Sequence, residues 1–213
     1  MRIALITETS LKNKNEVIYE VLKEVCDQHK IEVLNFGVLN HEERAFSYIS
    51  SGLLTSILLS SEVVDFVITG CKTGVGASIV SNMLPNVYCG YVASPLDAYL
   101  FQSINGGNAV SIPFDKLSTI GFKVELKSIF KSLIETPPKE GYPKERKSIQ
   151  NAQINKVNEL KRISSNNIMT IIDKIDKDLL KETICNSYFE EQFFKYSTNL
   201  ELSALLKEFI DNI

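Results

Sequence analysis

Residues 63–69, VVDFVIT, put apolar side chains on both faces of any strand they form. Such a strand is stable only where both faces are covered, as inside a parallel sheet flanked by helices. The first 136 residues supply the partners for that sheet. RIALIT at 2–7 and the alternating IEVLNF at 31–36 read as strands, as do 86–92 and 109–112. Helical patterns separate or follow them at 13–28, 43–60, 75–83, 95–104 and 116–134. In the first of these, Val17, Ile18, Val21, Leu22 and Val25 recur at helical spacing. The alternation predicts an α/β fold: a doubly wound, mostly parallel five-stranded sheet in a Rossmann-like αβα sandwich.

At 135–146 the sequence ETPPKEGYPKER brings in three prolines and a glycine, which end regular structure. Helical patterns resume at 147–163, 166–183 and 200–212. The expected organisation is an α/β domain over 1–136 and a helical C-terminal extension over 137–213. That extension must pack on the first domain or on a partner subunit.

Charge and composition exclude several functions. A net charge of −3 gives no basic footprint for nucleic acid. The longest apolar stretch, GLLTSILLSSEVV, is interrupted by serines and a glutamate and is too short for a membrane span. MRIALITETS reads as a first strand rather than an export signal. The four cysteines are scattered without a CxxC pair and read as reduced thiols of a cytoplasmic protein. Only two histidines occur, His29 and His41. That scarcity argues against a metal site and against a histidine-based catalytic dyad.

The apolar run ends in TGCKTGVG, at the carboxyl end of the third strand, where open parallel sheets collect their ligands. Cys71 follows the strand, and the next helix begins near Gly76, with its free N–H groups facing the same spot. This forms an anion site that glycines let the backbone approach. Two nucleotide loops are excluded by spacing. A phosphate loop needs a glycine where Val75 stands, and a dinucleotide fingerprint starting at Gly74 meets Ile79 in place of its third small residue. Cys71 has two readings, a small buried hydrophobe or a thiol placed for chemistry before a helix N-terminus. Cys26, Cys89 and Cys185 read as packing.

The stretch TGCKTGVGASIVSNMLPNVYCGYVASPLDAYLFQSINGGNAVSI resembles the ribose-5-phosphate isomerase B and galactose-6-phosphate isomerase family. The resemblance rests on Gly70, Cys71, Thr73, Gly74 and Gly76, then Asn82 and Pro85, then Asn105 and Asn108. It implies an aldose–ketose isomerase of small phosphorylated sugars that works through a cis-enediolate with no metal or organic cofactor. It also implies a homodimer or dimer of dimers with active sites between subunits. On this resemblance Cys71 moves the proton between C1 and C2. Thr73 and the loop N–H groups at Gly70, Gly74 and Gly76 hold the enediolate oxygens. Asn105 binds substrate hydroxyls, or else caps a helix ahead of the Gly-Gly turn. Arg146 is the candidate for the family's phosphate arginine.

The chain also departs from the family pattern. Glu8-Thr9 replaces the Asp-His pair at the end of the first strand, leaving Glu8 as a binding candidate or a solvated loop acid. The family's ring-opening histidine has no counterpart, since the chain reads Ala93 after its fourth strand. The neighbouring Asp97 reads as a first-turn carboxylate. A site lacking that histidine suits a substrate that stays linear, such as a tetrose phosphate, or one that opens unaided. The competing expectation is a sugar-phosphate-binding protein that kept the loop and lost the catalytic machinery.

Overall fold

The computed structural model describes residues 1–213. Five strands, β1 (Arg2–Thr7), β2 (Glu32–Asn35), β3 (Phe66–Cys71), β4 (Cys89–Tyr91) and β5 (Ala109–Pro113), form one sheet in the order β2-β1-β3-β5-β4. Every neighbouring pair is parallel. The doubly wound α/β fold expected from the sequence is therefore observed, with β3 at its centre and buried along its whole length.

Ten α-helices accompany the sheet. α1 (Lys12–Asp27), α4 (Pro95–Leu100) and α5 (Phe122–Glu135) cover one face. There Leu5, Ile68, Val110 and Ile112 of the strands meet Ile18 and Leu22 of α1 and Ile129 and Phe130 of α5. α2 (Tyr48–Ser60) and α3 (Val75–Met83) cover the other face. The remaining helices are α6 (Lys147–Ser164), α7 (Ile168–Lys174), α8 (Lys177–Ile184), α9 (Ser187–Tyr196) and α10 (Leu200–Asp211).

The C-terminal helices α7–α10 pack on α2. α2 carries no charged side chain, and every residue from 50 to 58, its serines and threonine included, is buried, as a helix without a charged face is. Its Leu53, Leu54, Ile57 and Leu58 share one continuous core with Ala4, Ile6 and Val67 of the sheet. The same core continues into Ile172, Leu180, Phe189, Phe193, Leu202 and Leu206 of α7–α10. The extension thus supplies a fourth layer over α2.

Several boundaries differ from the pattern for identifiable reasons. β3 starts at Phe66 because Arg2 ties down the approach to it: its Nε donates to the Val63 carbonyl at 2.6 Å and its N–H to Asp65 at 2.7 Å. α2 starts at Tyr48 because Thr9 holds Phe46 extended, with the Phe46 N–H donating to Thr9 Oγ1 at 2.8 Å. The single helical segment read over 166–183 is two helices, and Asp176 caps the second by accepting from the Leu179 N–H at 2.9 Å. No helix is long and apolar enough to cross a membrane.

Candidate active site

β1, β3 and β5 end level with one another, with Thr7 beside Gly70 and Cys71 beside Pro113. Cys71 is the last residue of β3 and only 8% exposed. Its Sγ accepts the Gly74 N–H at 3.1 Å and lies 3.8 Å from Thr73 Oγ1. Gly74 has φ +73°, and a side chain there would come within 2.9 Å of the Pro113 nitrogen and 3.0 Å of the Tyr91 ring. The position accepts only glycine. Ser111, buried in β5, donates to the Gly74 carbonyl at 2.6 Å and fixes the loop from below. α3 begins one residue later, and its first N–H groups have no partner within the helix. The N–H of its N-cap, Gly74, is the one aimed at the sulfur, and Thr73 beside it is exposed.

Gly70 and Gly76 serve the protein's own packing. A Cβ on Gly70 would sit 2.2 Å from the Ile112 carbonyl oxygen, and one on Gly76 would sit 3.1 Å from the Tyr48 ring. Tyr48 and Tyr91 are therefore walls of the loop, and Lys116 Nζ donates to Tyr91 Oη at 3.2 Å. None of these neighbours was legible in the loop's own sequence. Each arrives from a separate element through tertiary packing.

Glu8 and the other polar residues singled out in the sequence divide into three groups. Glu8 lies at the end of β1, next to the site, where its carboxylate accepts from the Ser10 N–H at 3.2 Å and from the Ser10 hydroxyl. Lys72 is exposed on the loop. A second group is structural. Asp97 accepts the Ala93 N–H at 3.0 Å while Ser94 accepts the Asp97 N–H at 3.1 Å, a reciprocal cap at the start of α4. Asn82 clamps β4 through the Cys89 N–H at 3.0 Å and carbonyl at 2.8 Å. Asn108 accepts from the Tyr88 N–H at 2.8 Å. Asn105 and Arg146 form the third group. Asn105 ends the π-helical turn Phe101–Asn105, at the amino-terminal end of β5 and so at the end of the strands opposite Cys71. It lines a groove of about 780 Å³ together with Lys139, Gln150 and Asn158 of the extension. Arg146 is exposed in the turn Lys144–Arg146 that leads into α6.

The other three thiols are held by packing. Burial pushes Cys26 and Cys89 each up to about 12, and pushes Cys185 up as well. No group of three or more His, Cys, Asp and Glu side chains is placed to hold a metal ion.

Residues 3–151 match the family described as ribose/galactose isomerase, and residues 163–209 match a further family described as ribose-5-phosphate isomerase. No curated protein matches the chain in sequence. Among solved structures it is similar to a 4-deoxy-L-threo-5-hexosulose-uronate ketol-isomerase complexed with a tartrate. That similarity has 43% identity and a TM-score of 0.97 over 99% of this chain and 100% of the other. The ribose-5-phosphate isomerase LacAB_rpiB of Vibrio parahaemolyticus is similar at 35% identity and a TM-score of 0.95, over 98% and 99% of the two chains. The type B ribose 5-phosphate isomerase of Trypanosoma cruzi shares the fold at 18% identity and a TM-score of 0.65, over 77% of this chain and 98% of its own.

Proposed function

The chain belongs to the ribose/galactose isomerase family, and on that premise we propose that it interconverts the aldose and ketose forms of an open-chain, anionic sugar, with Cys71 as acid and base. The observation that carries this reading is the Cys71 sulfur placed at the start of α3, where the N–H of the N-cap Gly74 donates to it at 3.1 Å.

The thiolate takes the C2 proton of the aldose. The C–H electrons form the C1=C2 bond, and the C1 carbonyl pair moves onto O1. Thr73 Oγ–H and the N–H groups around Gly74 and Gly76 hold the charge that develops there. Donors arranged in advance about an oxyanion are worth about 3–4 kcal/mol each. A proton passes from O2 to O1, the thiol gives its proton to C1, and the carbonyl re-forms at C2. The step balances without an external oxidant or reductant.

The substrate class follows from what the site lacks. Neither histidine of the chain belongs to the loop, and no ring-opening histidine stands after β4. The hexosulose uronate in the name of the 43% identical relative carries a ketone at C5 and no oxygen at C4. It therefore has no hydroxyl at C4 or C5 to close a pyranose or furanose ring onto its C1 aldehyde, so no aldose hemiacetal of that kind has to be opened. Its anionic group is a carboxylate. We infer open-chain hexosulose uronates as the first substrate class and pentose phosphates as the second. A non-catalytic sugar-phosphate binder remains the competing outcome.

Asn105 and Arg146 reach such a substrate only if a second copy of the chain brings the opposite end of its strands to the loop. This reading therefore includes a homodimer with composite sites. The experiment is NMR in D₂O with 4-deoxy-L-threo-5-hexosulose uronate, ribose 5-phosphate and tetrose phosphates, using wild type and Cys71→Ala. Deuterium entering C1 or C2 with wild type alone supports the isomerase. Thermal protection without exchange supports the binder. Exchange that survives in Cys71→Ala removes Cys71 from the mechanism.

A further inference from the structure

The helix α2 carries a carboxylate on its N-terminus that comes from outside the α/β domain. Glu182 of α8 accepts the Ser47 N–H and the Ser50 hydroxyl, both at 2.7 Å. Ser47 is the N-cap of α2, and its hydroxyl also accepts the Ser50 N–H at 3.2 Å. The next residue, Tyr48, lays its ring against Gly76 in the first turn of α3. One turn further along, a Cβ on Gly52 would stand 2.5 Å from Val80 Cγ1. The pairs 48 with 76 and 52 with 80 advance together. α2 and α3 therefore run parallel in tight register, with their N-termini side by side at the end of the strands where Cys71 lies.

We propose that Glu182 is a positioning residue: by fixing the first turn of α2 it holds Tyr48 against Gly76 as the wall that decides which substrates reach Cys71. The physical argument has two parts. A carboxylate at a helix N-terminus neutralises the partial positive charge of that end, and its hydrogen bonds to N–H and O–H are of the strong, charge-assisted kind. Glu182 thus occupies the N-terminus of α2 and leaves that of α3 as the free anion site. The tight contact at Gly52 then passes the placement of α2 to the loop side. Glu182 lies beyond the segment that matches the ribose/galactose isomerase family, residues 3–151, so the extension acts here on the site of the α/β domain.

This inference rests on the reading of Cys71 as the site, and its test has one readout with turnover and one without. In steady-state kinetics with the best substrate of the NMR panel, Glu182→Ala raises KM about tenfold with kcat changed less than about twofold. Glu182→Gln, whose amide oxygen can accept the same two bonds but without the charge, falls between Glu182→Ala and wild type. Tyr48→Ala raises KM similarly, and the double variant is no worse than Tyr48→Ala alone, as coupled neighbours require. Separately, iodoacetamide labels Cys71 faster in Glu182→Ala than in wild type, followed by mass spectrometry at a temperature well below the melting transition. Additive effects in the double variant overturn the proposal. So does a lowered Tm with unchanged KM and unchanged labelling. If no sugar is turned over by wild type, the isomerase reading fails while the labelling rate still decides the role of Glu182.

Discussion

Cys26 sits among Ile18, Leu22 and Phe130 in the core under α1, with none of its surface exposed. Burial disfavours its charged form and pushes the thiol from 9.0 to about 12. The unfolded chain therefore loses this proton first as pH rises. The Cys26 contribution is complete below pH 9.0 and is lost as pH climbs towards about 12. Replacing Cys26 by Ala lowers stability near neutrality through lost packing. The gap between wild type and Cys26→Ala in urea unfolding then narrows by up to about 2 kcal/mol between about pH 9 and about pH 10.5. Cys71 differs in placement: Cys71→Ala removes a small side chain at the edge of the core and costs roughly 1 kcal/mol of stability while abolishing turnover, as melting curves and the exchange assay together test. The sequence made Cys71 readable because its strand, its glycines and its helix start lie within ten residues. Tyr48, Tyr91 and Ser111 were not readable as site residues, because their contacts with the loop exist only once distant segments pack.

α2 and α3 touch where Gly52 meets Val80. Alanine has the better intrinsic helix propensity, by about 1 kcal/mol, yet an added methyl would sit 2.5 Å from Val80 Cγ1, a short, branched group with little freedom to retreat. Overpacking decides the sign: Gly52→Ala destabilises by about 1–3 kcal/mol in chemical denaturation, and it weakens substrate binding by moving Tyr48. Element order and type were largely legible, because period and composition are local properties. Boundaries were less so. The pattern at 43–47 continues the stripe of α2, but Thr9 draws Phe46 into extended structure. Val63 and Val64 are as apolar as the strand they precede, but Arg2 bonds the Val63 carbonyl and the Asp65 carboxylate outside the ladder. α9 escaped a separate assignment because Asn186, which accepts the Phe189 N–H at 2.9 Å to start it, is an unremarked polar residue in the sequence.

A single chain holds Cys71 at the carboxyl end of its parallel strands and Asn105 at the amino end, so the proposed composite site makes a demand on the assembly. Cys71→Ala and Asn105→Ala are each inactive alone. Unfolded together in equal amounts and refolded, they form mixed dimers in which one of two sites is intact. Activity returns to about one quarter of wild type if the dimer is closed and symmetric. Activity that stays at zero in mixed dimers, isolated by differential tagging, places Asn105 outside the site. The sandwiching of α2 between the sheet and α7–α10 has a further consequence, for biosynthesis. A ribosome emits α2 early, while the helices that cover its outer surface come last. At about 5–20 residues per second the interval is roughly 10–30 s, during which the nascent chain carries an uncovered greasy helix. A chaperone thus has a defined segment to guard until α10 has cleared the exit tunnel.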